Sequence, residues 1–233
     1  MERQNKVQWI YSSANNSELS ARYDEWANDY ETDLENDFEW NGHERAVASL
    51  LPYIHSNSII LDAGAGTGLV GLLLNEAGCT NLVAMDLSTG MLEQASKKHV
   101  YSELHQMVMG DELSFPSDHF DAAITVGVLT IGHAPPHSLD EIVRVTKPGG
   151  YIAFSLRSDI YEPAGFKDKQ DALSSAKKWE LVECTEPFQA LIGSARTQME
   201  RKLLERLYQH SQNGDLLRAV EEAVNHSDLL LTW

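Results

Sequence analysis

The chain has 233 residues, of which 42% are hydrophobic and 23% charged, and its formal net charge at pH 7 is -17. This length and composition predict a single folded domain with one sizeable core. The negative charge disfavours nucleic acids and anionic membranes as partners, because both carry the same sign. Two widely separated cysteines give neither a disulfide framework nor a zinc motif. A polar start and the lack of a long apolar run favour a cytoplasmic location.

The N-terminal part of the chain predicts a loose arm followed by helices. Residues 1–18 are polar and rich in Asn and Ser, which is typical of an unstructured arm. From Ser17 or Ser20 onward, apolar residues recur every three or four positions, and this spacing indicates an amphipathic helix. The stripe consists of Leu19, Tyr23, Trp26 and Tyr30. A second helix is predicted at about residues 41–53.

Short apolar runs then alternate with helical segments. The runs are SIILDAG, NLVAMDLS, LHQMVMGD, FDAAITVGVLT and YIAFSLRS. Strands that are apolar throughout indicate a parallel sheet with helices on both faces. Right-handed crossovers make such an α/β layer doubly wound. KKWELVECTEPF predicts a sixth strand.

The C-terminal part gives a weaker pattern. SARTQMERKLLERLYQH and GDLLRAVEEAV predict helices, and DLLLTW is compatible with a last strand. We therefore predict one domain over residues 1–233. Residues 1–55 form a helical lid, residues 56–190 form the sheet core, and residues 191–233 form a mainly helical segment.

Three glycines follow the first strand within five positions. Gly64, Gly66 and Gly68 stand in LDAGAGTG, at the first strand-to-helix turn. Ligands of open α/β sheets bind at the carboxyl ends of the strands, where free N–H groups and a helix N-terminus attract them. Glycine is needed where a Cβ would block the ligand or where φ is positive. A tight turn without a ligand is the alternative.

The spacing of the glycines and the residue at the end of the second strand limit which class of ligand could bind. A dinucleotide fingerprint would place a third glycine at Leu69, and a P-loop would continue with Gly-Lys-Ser/Thr, so neither phosphate site fits. Asp86 closes the second strand, where a carboxylate can accept from both hydroxyls of a ribose. A helix N-cap is its alternative role. Asp111 would end the third strand on the same edge and could accept from an exocyclic amine.

Five segments, taken together, resemble the motifs of class I S-adenosylmethionine-dependent methyltransferases. They are LDAGAGTG, AMDLS, MGD, FDAAITVGVL and VTKPGGYIAFS. Within that class, four segments look like those of the Williams–Beuren-region methyltransferase-like proteins. They are YDEWANDYETDL, GTGLVG, DLSTGMLEQA and FDAAITVGVLTIGHAP. The resemblance implies a doubly wound, mostly parallel seven-stranded sheet of the Rossmann-like methyltransferase type. It also implies S-adenosylmethionine as the cofactor and S-adenosylhomocysteine as its product.

The resemblance also assigns residues to the cofactor. The glycine turn would receive the methionyl part with Asp62 near its amino group, Asp86 would hold the ribose, and Leu87 and Asp111 would meet the adenine. Tyr23, Trp26 and Tyr30 would close the pocket as part of an N-terminal helix. The implied cofactor residues are Tyr30, Asp62, Gly64, Ala65, Gly66, Gly68, Asp86, Leu87, Met91, Asp111, Glu112 and Val126.

Methyl transfer asks for few catalytic side chains, because the sulfonium methyl group is already activated. A general base is needed only when the acceptor binds in its protonated form. His133 in TIGHAPPH is the candidate base, since histidine titrates near neutral pH; a solvated loop histidine is the alternative. Arg157 could bind an acceptor carboxylate or form a salt bridge.

The sequence thus predicts a methyltransferase with a small-molecule acceptor and without nucleic acid, membrane or metal. Two alternatives stay open. One is a module that binds S-adenosylmethionine or S-adenosylhomocysteine without turnover. The other is an NAD(P)-dependent oxidoreductase, which the displaced third glycine disfavours.

Overall fold

The computed structural model describes residues 6–34, 41–186, 188–189 and 202–210. The helices are α1 (Lys6–Tyr11), α2 (Asn16–Trp26), α3 (Tyr30–Asp33), α4 (Gly42–Leu50), α5 (Leu69–Glu76), α6 (Thr89–Ser96), α7 (Ser138–Val145) and α8 (Phe166–Ser175). The strands are β1 (Ile59–Ala63), β2 (Asn81–Asp86), β3 (Tyr101–Gln106), β4 (Phe120–Thr125), β5 (Thr146–Arg157), β6 (Trp179–Cys184), β7 (Phe188–Gln189) and β8 (Lys202–His210). Single 3-10 turns occupy Leu51–Tyr53 and Ser158–Ile160.

The strands form one sheet in the order β3-β2-β1-β4-β5-β8-β6, and the two-residue β7 pairs with β8. The first five strands run parallel to one another. Strand β8 is antiparallel to both β5 and β6. The predicted mostly parallel, doubly wound sheet of seven strands is confirmed, with β7 as a short addition.

The core lies on both faces of the sheet. Successive residues of a strand point to opposite faces, and in β1 both Ile60 and Leu61 are fully buried. Ile60 belongs to a cluster that includes Leu50 of α4, whereas Leu61 belongs to a cluster that includes Ile142 of α7. Burial on both sides explains why these strands are apolar throughout.

Local capping signals set the starts of two helices that border the site. The Asn15 side chain accepts from the Glu18 N–H at 3.0 Å, and the Glu18 carboxylate accepts from the Ala14 N–H at 2.8 Å. This reciprocal capping fixes the start of α2. The Ser88 hydroxyl accepts from the Met91 N–H at 3.0 Å, and this cap sets the start of α6 directly after β2.

The prediction of a loose arm over residues 1–18 is wrong where the structure describes it as helical. Helix α1 occupies Lys6–Tyr11 and α2 begins at Asn16. Ile10, which is 2% exposed, packs with Leu19 and Trp26 of α2. The apolar contact stabilises a helix that, with six residues, is too short to be stable by itself. The helix predicted at residues 41–53 is confirmed as α4 followed by a 3-10 turn.

The helix predicted over the end of SARTQMERKLLERLYQH is also wrong, because Lys202–His210 form strand β8. Its backbone pairs with β5 from Tyr151–Gln209 to Arg157–Leu203 and with β6 on the other side. Pairing along two neighbours overrides the local helical spacing. Residues 191–201 and 211–233, including DLLLTW, lie outside the described residues, and the division into lid, core and tail stays a prediction.

Candidate active site

The site lies where the strand order reverses. Strands β2 and β3 lie on one side of β1, whereas β4 and β5 lie on the other. The carboxyl ends of strands at such a switch point border a crevice. A cavity of about 230 Å³ occupies this place, and residues of α1, α2 and α3 form its roof. Among the predicted site residues, those that line it are Tyr30, Gly64, Gly66, Asp86, Leu87, Met91, Val126 and His133.

Hydrogen bonds hold the glycine turn against the end of β2. The N–H groups of Gly64 and Ala65 both donate to the Met85 carbonyl, at 2.8 and 2.9 Å. The Gly66 N–H donates to Asp86 Oδ2 at 2.8 Å, and the Ser88 N–H donates to Asp86 Oδ1 at 2.9 Å. Asp86 therefore joins the glycine turn to the start of α6.

Two glycines of the turn have different requirements. A Cβ at Gly64 would lie 2.3 Å from Cγ2 of Val128, so this glycine allows the segment after β4 to approach. A Cβ at Gly66, where φ is +54°, would meet no heavy atom within 4 Å. Gly66 therefore presents a bare peptide face to open space in the cavity. Gly68 lies below the turn, where a Cβ would meet the Tyr101 ring at 3.0 Å.

Asp62 and Ala65 point away from the cavity. Asp62 is 1% exposed and its Oδ2 accepts from the Tyr101 hydroxyl at 2.5 Å, while the Gly71 N–H donates to that hydroxyl at 3.1 Å. Burial raises the pKa of Asp62 to about 7, against the opposing effect of the Tyr101 hydrogen bond. Ala65 packs with Ala84 and Leu92. The predicted contacts of Asp62 and Ala65 with a cofactor stay predictions.

The predicted third strand, LHQMVMGD, begins three residues and ends five residues later than β3 does. Strand β3 spans Tyr101–Gln106, and its polar sequence gave little apolar signal for its position. Met107, Val108 and Met109 follow it and line the cavity. Asp111 and Glu112 are exposed, and Asp111 borders a neighbouring groove instead. Their predicted contacts with an adenine stay predictions.

The aromatic stripe of α2 and α3 is both packed and part of the cavity wall. Tyr23, Trp26 and Tyr30 all line the cavity. The Trp26 ring meets the Tyr30 ring edge-on with centroids 4.8 Å apart, and Trp26 Nε1 donates to Asp33 at 2.7 Å. The stripe thus supports the roof and faces the cavity at once. Burial raises the pKa of Tyr30 well above its usual value.

His133 lies in the loop after β4 and faces the roof. Its Nε2 is 2.8 Å from the Tyr23 hydroxyl, and its ring centroid is 5.0 Å from that of Tyr11. Burial lowers the pKa of His133, with a smaller opposing effect from the Ile131 backbone. The imidazole is therefore neutral at pH 7 and able to accept a proton.

Sequence reasoning missed several residues at the same end of the cavity. Tyr11 of α1, Thr130 after β4 and Ser155 of β5 all line it. The Ser155 hydroxyl accepts from the Gly127 N–H at 2.8 Å and thereby fixes the loop after β4. The spacing of Val7, Ile10 and Tyr11 is the signal that could have indicated α1. Thr130 and Ser155 lie in the predicted strand segments FDAAITVGVLT and YIAFSLRS, but the pattern does not indicate that they reach the cavity.

Comparisons with known proteins agree with this geometry. Residues 61–154 match a family described as a methyltransferase domain. Methyltransferase-like protein 27 of Homo sapiens is 36% identical over 165 residues, which cover 68% of this chain and 66% of that protein. A demethylmenaquinone methyltransferase of Clavibacter sepedonicus is 35% identical over 144 residues, which cover 58% of this chain and 56% of that protein. The matched stretches span less than two thirds of these relatives' own length.

A solved structure has the same fold. One chain of the complex between the Haloferax volcanii Trm112 methyltransferase activator and a methyltransferase has a TM-score of 0.65 and 16% identity. The match covers 84% of this chain and 98% of that chain. In the described part of this chain, no helix combines the length and apolar character needed to cross a membrane. With the cavity at the switch point and the glycine turn held by Asp86, the chain belongs to the class I S-adenosylmethionine-dependent methyltransferases.

Proposed function

We propose that the protein transfers a methyl group from S-adenosylmethionine to a small-molecule acceptor. The proposal depends on one observation, the hydrogen bond that sets the bare peptide of Gly66 beside the Asp86 carboxylate on the cavity wall. A peptide face without a side chain and a neighbouring carboxylate are what an amino-acid–nucleoside requires of a protein.

The residues present fit S-adenosylmethionine. The open side of Gly66 would receive the methionyl part without a clash. Asp86 accepts backbone hydrogen bonds from Gly66, Ser88 and Leu87, and a carboxylate has about four lone-pair sites, so it can also accept from a ribose. Leu87, Met91 and Val126 would supply apolar surface for the adenine.

When bound, S-adenosylmethionine supplies an activated methyl group that moves to the acceptor's lone pair and leaves the S–CH₃ electron pair on sulfur. The protein positions the acceptor, and in favourable cases positioning alone lowers a barrier by about 7–11 kcal/mol. The aromatic roof of Tyr23, Trp26 and Tyr30 covers the cavity and would exclude water from it.

An acceptor that binds in its protonated form must also lose a proton. His133 is neutral and lines the cavity, and its Nε2 is hydrogen-bonded to the Tyr23 hydroxyl. We propose that this pair removes the acceptor's proton and that the proton ends on His133. A positioned base contributes typically about 10²–10⁴ in rate.

Three observations support a small molecule as the acceptor. The cavity lies beneath three helices, its lining is mostly apolar, and the net charge of -17 repels nucleic acids. The relative named as a demethylmenaquinone methyltransferase is one whose acceptor is a small molecule. The cytoplasmic location stays a prediction.

The test is a calorimetric titration with S-adenosylhomocysteine. The wild-type protein should bind it, and Asp86→Asn should raise the Kd about tenfold or more, because hydrogen bonds to a charged group contribute about 1.5–3 kcal/mol. Asp121→Asn is the matched control. Asp121 also accepts a backbone N–H, that of Ile59 at 2.8 Å, but it lies at the amino end of β4.

Two results would contradict the proposal. If the wild-type protein does not bind S-adenosylhomocysteine, the proposed cofactor is wrong. If Asp86→Asn and Asp121→Asn bind it with equal affinity, Asp86 does not contribute to the cofactor site. A protein that binds S-adenosylhomocysteine but methylates no compound in a broad metabolite screen would be the binding module of the alternative hypothesis.

A further inference from the structure

One of the residues that line the cavity, Arg157, has a cationic side chain. Arg157 is the last residue of β5, and β5 lies two strands away from β1, whose end carries the glycine turn. Adjacent strands are about 4.8 Å apart, so Arg157 and the glycine turn are separated by roughly 10 Å across the sheet. Among the described residues that line the cavity, Arg157 is the sole Arg or Lys.

The guanidinium of Arg157 has two differently occupied edges. Its Nε and Nη2 donate to Asp159 at 3.0 and 2.5 Å, on the outer side, where Asp159 is 50% exposed. Its Nη1 lies 3.5 Å from the hydroxyl of Thr130, a buried residue of the cavity wall, and the Tyr11 side chain is a further hydrogen-bond partner of the guanidinium. The Asp159 contact fixes the guanidinium, and the second edge is directed at the wall of the cavity. A guanidinium carries five donors, so a carboxylate can still bind at this edge by adding to or replacing the contacts with Thr130 and Tyr11.

Aromatic surface continues from this edge toward the proposed base. The Arg157 guanidinium lies 5.8 Å from the centre of the Tyr11 ring, and the His133 ring lies 5.0 Å from the same ring. The Tyr11 hydroxyl is 3.5 Å from the Thr130 hydroxyl. Tyr11 thus provides a surface that connects the cationic end to the Tyr23–His133 pair.

We infer that the Arg157 end of the cavity binds the carboxylate of the acceptor, and that the rest of the acceptor is an apolar or aromatic body lying along Tyr11. The inference rests on the proposed methyltransferase function and names the acceptor class for it. A partly buried guanidinium favours an anion, and the planar fork of Arg matches a carboxylate better than the point charge of Lys does.

A carboxylate could come from a second source, because the methionyl part of the cofactor also carries one. The two sources are separated by S-adenosylhomocysteine and 5′-methylthioadenosine, which lacks the carboxylate. If Arg157 bound the cofactor's carboxylate, Arg157→Gln would weaken S-adenosylhomocysteine and leave 5′-methylthioadenosine unchanged, and the inference would be wrong. We expect both affinities to stay within about twofold of wild type.

The direct test uses the full chain saturated with S-adenosylhomocysteine and four pairs of probes. The pairs are benzoate, 4-hydroxybenzoate, 3-phenylpropionate and indole-3-acetate, each with its amide, and binding is followed by ligand-detected NMR titration. We expect at least one carboxylate to bind about tenfold or more tightly than its amide. Arg157→Gln should reduce that ratio to about one, and Arg157→Lys should keep part of it.

Asp159→Asn is the matched control for a purely structural role of the ion pair. It removes the partner but keeps the guanidinium, so the preference for carboxylates should persist or increase. Thermal melting of each variant checks that it is folded. A carboxylate preference that survives Arg157→Gln, or a panel without any bound carboxylate, would overturn the inference. Since S-adenosylhomocysteine is bound throughout, that failure would leave the proposed function standing.

Discussion

Gly66 and Gly78 both have positive φ, at +54° and +92°, but for different reasons. Gly66 lines the cavity, whereas Gly78 follows α5 on the exposed surface, and a Cβ at either position would meet no heavy atom within 4 Å. Alanine at each should cost stability through its backbone conformation, by about 1–2 kcal/mol. Gly66→Ala should also weaken S-adenosylhomocysteine about tenfold, because its methyl group enters the space assigned to the cofactor.

Calorimetric titration of the two variants with S-adenosylhomocysteine distinguishes a glycine that contacts the ligand from a glycine that only forms a turn. Gly78→Ala should bind S-adenosylhomocysteine like the wild type despite a similar loss of stability. If Gly66→Ala also binds normally, the glycine turn serves only to join β1 to α5.

Asp62 makes the stability of the protein depend on pH. Burial raises its pKa to about 7 from an ordinary value of 3.8, so the folded state keeps a proton there that the unfolded state has lost. Stability from this group is therefore full below pH 4 and is lost as the pH rises through 7. One proton corresponds to about 1.4 kcal/mol per pH unit at most. Asp62→Asn, which cannot ionise, should flatten the fall in unfolding free energy between these values.

Urea unfolding of Asp62→Asn between pH 5 and pH 8 measures this slope. Asp121→Asn serves as the control, because burial at Asp121 is outweighed by Lys147 and the Ile59 N–H, which lower its pKa. Its slope in this range should equal that of the wild type. An unchanged slope in Asp62→Asn would show that Asp62 is ionised in the folded protein.

The elements of the roof are attached through α2 to the residues that follow β2. Asp24 Oδ1 accepts from the Ser88 hydroxyl at 2.6 Å and from the Gly90 N–H at 2.7 Å. Ser88 and Gly90 follow Asp86, so one carboxylate of α2 connects the roof to the strand end at the proposed ribose site. Asp24→Ala should loosen the roof and accelerate the dissociation of S-adenosylhomocysteine about tenfold, since two hydrogen bonds to a charged group are lost.

Stopped-flow dissociation and hydrogen exchange of residues 16–26 test this attachment. Glu25→Ala, an exposed change on the same helix, should alter neither quantity. If hydrogen exchange of residues 16–26 in Asp24→Ala equals that of the wild type, packing of Trp26 and Leu19 alone holds the roof in place.

Elements with strong apolar periodicity could be predicted from the sequence, and those that depend on distant partners could not. Strands β1, β2, β4 and β5 were visible because burial on both faces makes them apolar. Strand β3 lies at the edge of the sheet with a polar sequence, so its end and the position of Asp111 were misplaced. The contact of Asp62 with Tyr101, 39 residues later, has no local signal. Of the site, the glycine turn, Asp86, His133 and Arg157 were found, whereas Tyr11 depended on packing of α1 against α2.

At the scale of the whole molecule, an aromatic stack joins the last strands. The rings of Trp179 in β6 and Tyr208 in β8 lie 3.8 Å apart between centroids, and Phe154 of β5 lies 5.6 Å from Tyr208. Tyr208 also donates to the Gln170 side chain at 2.6 Å. Tyr208→Ala should lower the unfolding free energy by about 3–5 kcal/mol, as buried aromatic truncations do.

Tyr208→Phe is the control for the hydroxyl, because it keeps the stack and loses one hydrogen bond, at about 1 kcal/mol. Chemical denaturation gives both values. If the alanine variant loses no more stability than the phenylalanine variant, the stack does not hold β5, β6 and β8 together.

Strand β8 is inserted between β5 and β6, although it follows both along the chain. During synthesis on the ribosome, β5 and β6 therefore emerge with an unpaired flank, and the sheet is complete only when residues 202–210 have left the exit tunnel. An unpaired flank of this kind is prone to association with other nascent chains. Since Arg157 ends β5 at that flank, the arginine inferred to bind the acceptor reaches its final surroundings among the last parts of the molecule to form.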